Sequence, residues 1–318
     1  MTGNIVLRKI GLLFTAAACG ALVTSCGDDE TPDPAPTETA TPTPTPSQGL
    51  IDFDFASEFT ATSTNASFIY AFFSPDGEET EVFSDASRIN GLTSLQYALQ
   101  PETVTFQFPD LADAVIFNAD DLVNYVTTPE KERTYTRDDA TLILEVPFEH
   151  VLRANYQLSN QDFRRGETDG TLRSNRVSIF FNRVTTETAI SSNLSYTGNT
   201  LVVGGDPGVT EAGTISSPET TFTVTDGASE DTISGTIRIF EDDGSGPQLV
   251  ATLNFSDTLS ATGGFDGTLT DAANGLTGSF AGVLAGPNRE EVVLVFSVID
   301  DNADDDVLTE YTGSFIGS

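Results

Sequence analysis

The sequence predicts an all-β, antiparallel protein whose C-terminal part closes into a barrel. Three observations carry this. From residue 50 onward, Val, Ile, Phe and Thr alternate with polar residues at a period of two, the pattern of half-buried strands. Over about the last 120 residues such strands are short and evenly spaced, with Asp, Gly and Asn turns between them, which suggests meandering hairpins that close on themselves. Glycines such as Gly235, Gly278 and Gly282 stand inside these strands. Glycine weakens a flat strand but permits the tight coiling of a small barrel.

Taken in order, residues 1–25 read as a signal peptide. Arg8 and Lys9 form a basic start, Ile10 to Val23 is apolar, and Leu22-Val23-Thr24-Ser25 leads into Cys26. A cysteine directly after such a cut matches the bacterial lipoprotein signal, in which the thiol is acylated, so Cys26 is the expected lipidation site and membrane anchor. Each buried acyl CH₂ contributes roughly 0.8 kcal/mol, so a multiply acylated cysteine holds its protein durably on a membrane. The competing reading is an ordinary signal peptide with a chance cysteine. Gly27 follows Cys26 where inner-membrane retention is associated with Asp, which favours the outer membrane, with the protein facing the periplasm or the cell exterior.

Residues 26–49 form an acidic, Thr/Pro-rich linker. Alternating Thr-Pro favours extended polyproline II, rising about 3.1 Å per residue. It packs no core and would hold the folded part tens of ångströms from the lipid. Residues 50–195 are a β-rich region: Val104, Phe106 and Phe108 alternate with Thr and Gln, Leu142, Leu144, Val146 and Phe148 form a second run, and Val177, Ile179 and Phe181 a third. Asp120 to Val126 is the one helical candidate, with an acidic start and apolar i, i+3 spacing. Residues 196–318 hold the barrel strands, around Phe222 and Val224, Ile233 to Ile239, Leu249 to Phe255, Gly264 to Leu269, Gly278 to Leu284, Val292 to Val298 and Tyr311 to Phe315.

The formal charge is −34 over 318 residues. Loss of residues 1–25 removes Arg8, Lys9 and no acid, taking the mature chain near −36. Such a chain repels phosphate backbones, so nucleic acid is not expected as a partner. Nine of the twelve remaining basic residues lie between Lys131 and Arg183, with Arg164, Arg165, Arg173 and Arg176 densest. They are either ordinary surface arginines or a positive patch for an acidic partner or lipid headgroups. His150 is the only histidine, and Cys19 and Cys26 are the only cysteines. That removes most zinc-enzyme layouts, Ser-His-Asp triads and Cys-His pairs, and the mature chain carries no disulfide. No enzyme activity and no cofactor are expected.

The C-terminal part resembles the barrel domain of the transferrin-binding protein B family, surface lipoproteins of Gram-negative bacteria that include transferrin-binding-protein-like solute-binding proteins. The matching residues are Gly278, Phe280 and Gly282, then Gly286-Pro287-Asn288, Glu291 and Phe296, and the closing strand Gly313, Phe315 and Gly317. Ala285 stands where the family usually has an aromatic, Val293-Leu294 where it usually has Gly-Gly, and the final basic residue is missing. The resemblance implies an eight-stranded up-and-down barrel, with residues 50–195 as a handle-like region. It also implies a non-enzymatic binding module that captures a solute or carrier protein in metal or nutrient acquisition and hands it to a TonB-dependent receptor. A structural or envelope-interaction lipoprotein without a small-molecule ligand is the alternative.

The remaining candidates are acidic or aromatic. Asp300, Asn302 and Asp304 have the first three spacings of a calcium loop, but Asp305 replaces its glycine and Tyr311 its final glutamate, so this run and Glu241 to Gly246 read better as solvated hairpin tips. Phe72-Phe73 and Phe180-Phe181 are either core residues or contact points for a partner.

Overall fold

The computed structural model describes residues 49–125, 131–300 and 308–318, which fall in a single compact unit. The N-terminal strands are β1 (Phe59–Thr64), β2 (Ser67–Pro75), β3 (Val82–Ile89), β4 (Leu92–Leu99), β5 (Glu102–Gln107), β6 (Val115–Asn118), β7 (Leu122–Tyr125), β8 (Glu132–Arg137), β9 (Ala140–Phe148), β10 (Val151–Arg165) and β11 (Thr168–Phe181). The C-terminal strands are β12 (Leu194–Gly205), β13 (Ile215–Ser216), β14 (Thr220–Thr225), β15 (Thr232–Glu241), β16 (Gln248–Thr258), β17 (Gly264–Asp271), β18 (Leu276–Ala285), β19 (Glu291–Asp300) and β20 (Glu310–Gly317). Every strand pairing is antiparallel.

The N-terminal strands make two sheets. One has the order β1-β4-β5-β6, the other β3-β2-β11-β10-β9-β8-β7. Their facing sides share one core, in which Leu95, Tyr97, Val104, Phe106 and Phe117 of the smaller sheet meet Leu142, Leu144, Leu152, Tyr156 and Phe180 of the larger. This two-layer sandwich is the handle. In the C-terminal part, β12 pairs with β14, each later strand pairs with the next, and β20 returns to β12, while β15 also bonds β16. The result is an eight-stranded up-and-down barrel, with β13 as a short addition beside β15.

The barrel interior is filled. Tyr196, Phe222, Ile237, Leu253, Phe255, Phe280, Leu294, Phe296 and Phe315 belong to one buried cluster. The Phe222 and Phe315 rings stack at 3.8 Å, and Phe255 meets Phe280 at 5.1 Å. Each such side chain contributes about 1.5–3 kcal/mol by leaving water. Arg238, Asn254 and Thr268 are exposed on the outer wall of the barrel. An apolar lumen and a polar wall reverse the arrangement of a lipid-facing barrel.

A third core joins barrel to handle. Phe68, Tyr70 and Phe72 of β2, Phe83 of β3, and Val177 and Ile179 of β11 pack on Val293, Val295 and Ile316 of the barrel wall. Strand β19 is therefore buried on both faces: Val292, Leu294, Phe296 and Val298 point into the lumen, Val293 and Val295 into the handle. Two-sided burial produces a continuous apolar run in place of alternation, and it accounts for Val293-Leu294, one side chain serving each core.

Two local readings of the sequence change. Residues 120–125 are not a helix, and Val126 lies outside the described residues. Asn118 caps a single 3-10 turn, Ala119–Asp121, by accepting from Asp120 N–H while Asp121 accepts from Asn118 N–H; Leu122 then turns extended (φ −68, ψ 117) and β7 pairs with β8. The same capping chemistry starts a turn or a helix, and the strand partner decides which. Leu249 does not follow Ala251, Leu253 and Phe255 inward and is 54% exposed. Phe240 pairs with Leu249 and Ile239 with Ala251, so Val250 is an extra residue that inverts the facing of everything before it.

Candidate functional site

The residues that carry the family resemblance build the barrel and its junction with the handle. Gly278 faces Val298 across β18 and β19, where an added Cβ would lie 2.6 Å from the Val298 Cα and overlap the Ser297 carbonyl, so only glycine fits. Phe280, Phe296 and Phe315 fill the lumen. Gly282, Gly313 and Gly317 lie where Phe265, the Leu201 backbone and Phe315 come close.

Gly286-Pro287-Asn288 is the β18–β19 turn, and the handle grips it. Gly286 (φ +80) donates its N–H to the Asn182 carbonyl at 2.9 Å, and a Cβ there would sit 2.6 Å from the His150 ring. The Pro287 carbonyl accepts from the N–H groups of Thr185 and Thr186 at 3.1 and 2.9 Å. Asn288 donates its amide and backbone N–H to Glu290. Glu291, 3% exposed, accepts the His150 backbone N–H at 3.0 Å, and burial pushes its carboxyl up against that bond. Asn182 completes the clasp: its Oδ1 accepts from Ile51 N–H and its Nδ2 donates to the Ile51 carbonyl, both at 2.7 Å. His150 is thus part of a structural joint, with its ring 3.4 Å from Asn182 Nδ2.

A second contact joins β20 to β3. Glu310 Oε1 accepts the Ala86 N–H at 3.0 Å. Burial and the neighbouring Asp85 carboxylate push the Glu310 carboxyl up to about 7, the Ala86 bond opposing them.

Handle and barrel part at β17 and β18 and leave a cleft of about 580 Å³. Asn65 and Ala66 from the β1–β2 turn, Arg88 of β3 and Phe181 of β11 line one side. Asp266, Ser279, Ala281 and Val283 line the other, with Val293 at its floor. Arg88 Nη1 donates to Ser279 Oγ at 2.9 Å, and its Nε is buried without a hydrogen-bond partner. Desolvation draws the guanidinium's affinity for its proton down, and the field of Asp266 counters this. The volume lies in the range of small-molecule pockets, and a few polar groups beside apolar ones is their usual lining.

Three of the four arginines in the densest part of the basic stretch are paired with carboxylates. Arg173 pairs with Glu81 and lies 4.8 Å from the Phe72 ring centroid, Arg176 pairs with Asp110 at 2.7 Å, Arg164 with Asp169 at 3.4 Å, and Arg165 donates to the Phe83 carbonyl. Arg173 and Arg176 are thus tied into the structure by their carboxylate partners. Phe72, Phe73 and Phe180 are core residues, and Phe181 lines the cleft. In the Glu241 to Gly246 tip, Asp242 Oδ1 accepts the N–H groups of Gly244 and Gly246 and Asp243 Oδ1 that of Ser245, so one oxygen of each holds the turn itself. Of the calcium candidates, Asp300 ends β19 and donates its N–H to the Thr309 carbonyl, while Asn302 and Asp304 lie outside the described residues, as does Cys26. Among the described residues no group of three His, Cys, Asp or Glu is placed to hold a metal.

A closed, packed barrel clasped to a two-sheet handle defines the architecture, and solved structures similar to it include those of transferrin-binding protein B. One, a mutant from Haemophilus parasuis Hp5, is 10% identical, with 82% of this chain covering 76% of that one at a TM-score of 0.36. Another, isotype 1 from serogroup B Neisseria meningitidis, is 13% identical, with 79% of this chain covering 43% of that one at a TM-score of 0.38. No family model matches the chain, and no curated protein matches it.

Proposed function

We propose that this protein is a non-enzymatic binding module, anchored to the outer membrane through lipid on Cys26 and lifted from it by the Thr/Pro linker of residues 26–49. Residues 50–195 serve as the handle, residues 196–318 as the barrel, and a solute or carrier protein is taken up on their outer surfaces. The observation that carries this is the packed lumen: the barrel holds side chains where a ligand-carrying barrel holds a cavity. Binding therefore falls to the surfaces, and the handle–barrel cleft is the concave one. The Leu22-to-Cys26 sequence supports the anchor and Gly27 the outer membrane. The motif from Gly278 to Gly317 supports kinship with proteins that pass cargo to a TonB-dependent receptor in metal or nutrient acquisition.

Surface labelling and protease shaving of intact cells test this together with a deletion strain. The proposal expects labelled, protease-sensitive protein and a defect in uptake of one nutrient. A full-length protein after shaving excludes surface capture. Normal uptake with weakened envelope integrity identifies an envelope-structural lipoprotein instead.

A further inference from the structure

We propose that the handle–barrel cleft binds a small monocarboxylate with an apolar body, its carboxylate seated on the Arg88 guanidinium. This rests on the binding-module reading and names the ligand class for its cleft. The chain has 48 acidic residues against 14 basic ones, so a partly buried arginine has many carboxylates to choose from. Arg133, Arg137, Arg153, Arg164, Arg173 and Arg176 each take one. Arg88 has no carboxylate of the described residues within ion-pair distance, and the one side-chain bond it makes goes to the neutral Ser279 hydroxyl. A guanidinium has five donors in a planar fork that matches a carboxylate edge to edge. One of these five is committed to Ser279, and the buried Nε is unsatisfied.

The surroundings select the rest of the ligand. Ala66, Phe181, Val283 and Val293 offer apolar surface beside Arg88. Asp266 stands on the opposite wall, exposed and within electrostatic reach of Arg88. It repels a second negative charge and attracts an ammonium group. A phosphate dianion is therefore disfavoured, whereas a monoanion or an amino-acid zwitterion fits both charges.

Titration of the purified protein, followed by calorimetry and saturation-transfer NMR, tests this with four probes: 4-methylpentanoate, leucine, 3-methylbutylamine and inorganic phosphate. The two carboxylates should bind saturably, leucine at least as tightly, with the amine and phosphate at least ten-fold weaker. Arg88→Met should weaken carboxylate binding at least ten-fold, and Arg88→Lys should recover part of it. Should Arg88→Met fail to fold, Ala281→Trp fills the cleft from the barrel wall while keeping the Arg88 side chain and should give the same loss. Absence of carboxylate binding, equal binding of phosphate, or undiminished binding in Ala281→Trp overturns the proposal. Shaving and uptake experiments use none of these probes, so failure of the cleft ligand and failure of the binding-module reading are separable.

Discussion

Replacing Glu310 with glutamine removes a titrating group from the contact between β20 and β3 while keeping its shape. The amide oxygen still accepts from Ala86, and the amide nitrogen can donate to Asp85 as the protonated acid does. In the folded state burial and Asp85 hold the carboxyl at about 7, against an ordinary glutamate value of 4.5. Between these values the folded protein keeps a proton that the unfolded chain has lost, so stability falls as pH rises through that window and the loss is complete above it. At about 1.4 kcal/mol per unit, the shift corresponds to at most roughly 3–4 kcal/mol, and the solvent contact Glu310 retains lowers the expected figure to about 2 kcal/mol. Urea unfolding followed by tyrosine fluorescence suits a chain with seven tyrosines and no tryptophan. Glu310→Gln should match the parent near pH 4.5 and exceed it by about 2 kcal/mol at pH 8. A difference that does not change with pH, or a variant weaker than the parent at pH 8, would refute the reasoning.

Other outcomes follow from the same geometry. Strands β16 and β17 register at one pair, Asn254 with Thr270, and carboxylates bridge the rest: Asp271 accepts from Thr252 N–H at 2.7 Å and Asp257 from Asp266 N–H at 2.8 Å. Asp271→Ala should cost about 1.5–3 kcal/mol in urea unfolding at neutral pH. Burial raises the Asp271 carboxyl, but the bonds from Thr252, Asn274 and Ala273 outweigh it and hold it below the usual aspartate value. That contribution should persist as pH falls until the lowered value is passed, and an Asp271→Ala defect that vanishes already near pH 5 would contradict it. Asn182→Ala should cost about 2–4 kcal/mol, because it strands both Ile51 backbone groups at the clasp, and hydrogen exchange should show Ile51 N–H losing protection. Gly286→Ala forces a side chain into a positive-φ turn against His150 and should lower stability by about 1–3 kcal/mol, read from the melting temperature. Cys26→Ser should abolish incorporation of labelled palmitate and release the protein from the membrane fraction; continued labelling would place the lipid elsewhere.

The barrel was legible where its strands, such as β14 and β15, have one wet face. Phe222, Val224, Ile233, Ile237 and Ile239 alternate with polar residues, and the glycine positions follow from close strand approach. What escaped the sequence depends on pairing at a distance. The inversion at Val250 needs the partner strand to reveal that two residues oppose one. Residues 119–125 carry a sound capping signal whose continuation was chosen by β8. The clasp joins Ile51 to Asn182 and His150 to Glu291, groups more than a hundred residues apart, and no local pattern marks them. The arginine stretch looked like free charge because its partners Glu81 and Asp110 lie in a different part of the chain. Arg88 gave no signal at all, being one arginine in a polar strand until the barrel wall closes over it.

The return of β20 to β12 also sets a timetable. Thr200 pairs with Phe315, so the barrel has no complete ring until residues 310–317 have emerged and found a partner made over a hundred residues earlier. Such distant pairing slows folding, because loop entropy is spent before the contacts reward it. The same strand supplies Ile316 to the third core, so the joint between barrel and handle also waits for it. A chain that matures this late stays unfolded for longer after synthesis. That delay leaves β12 and β19 as open edges, each with a row of unpaired backbone groups that a chaperone must cover until β20 arrives.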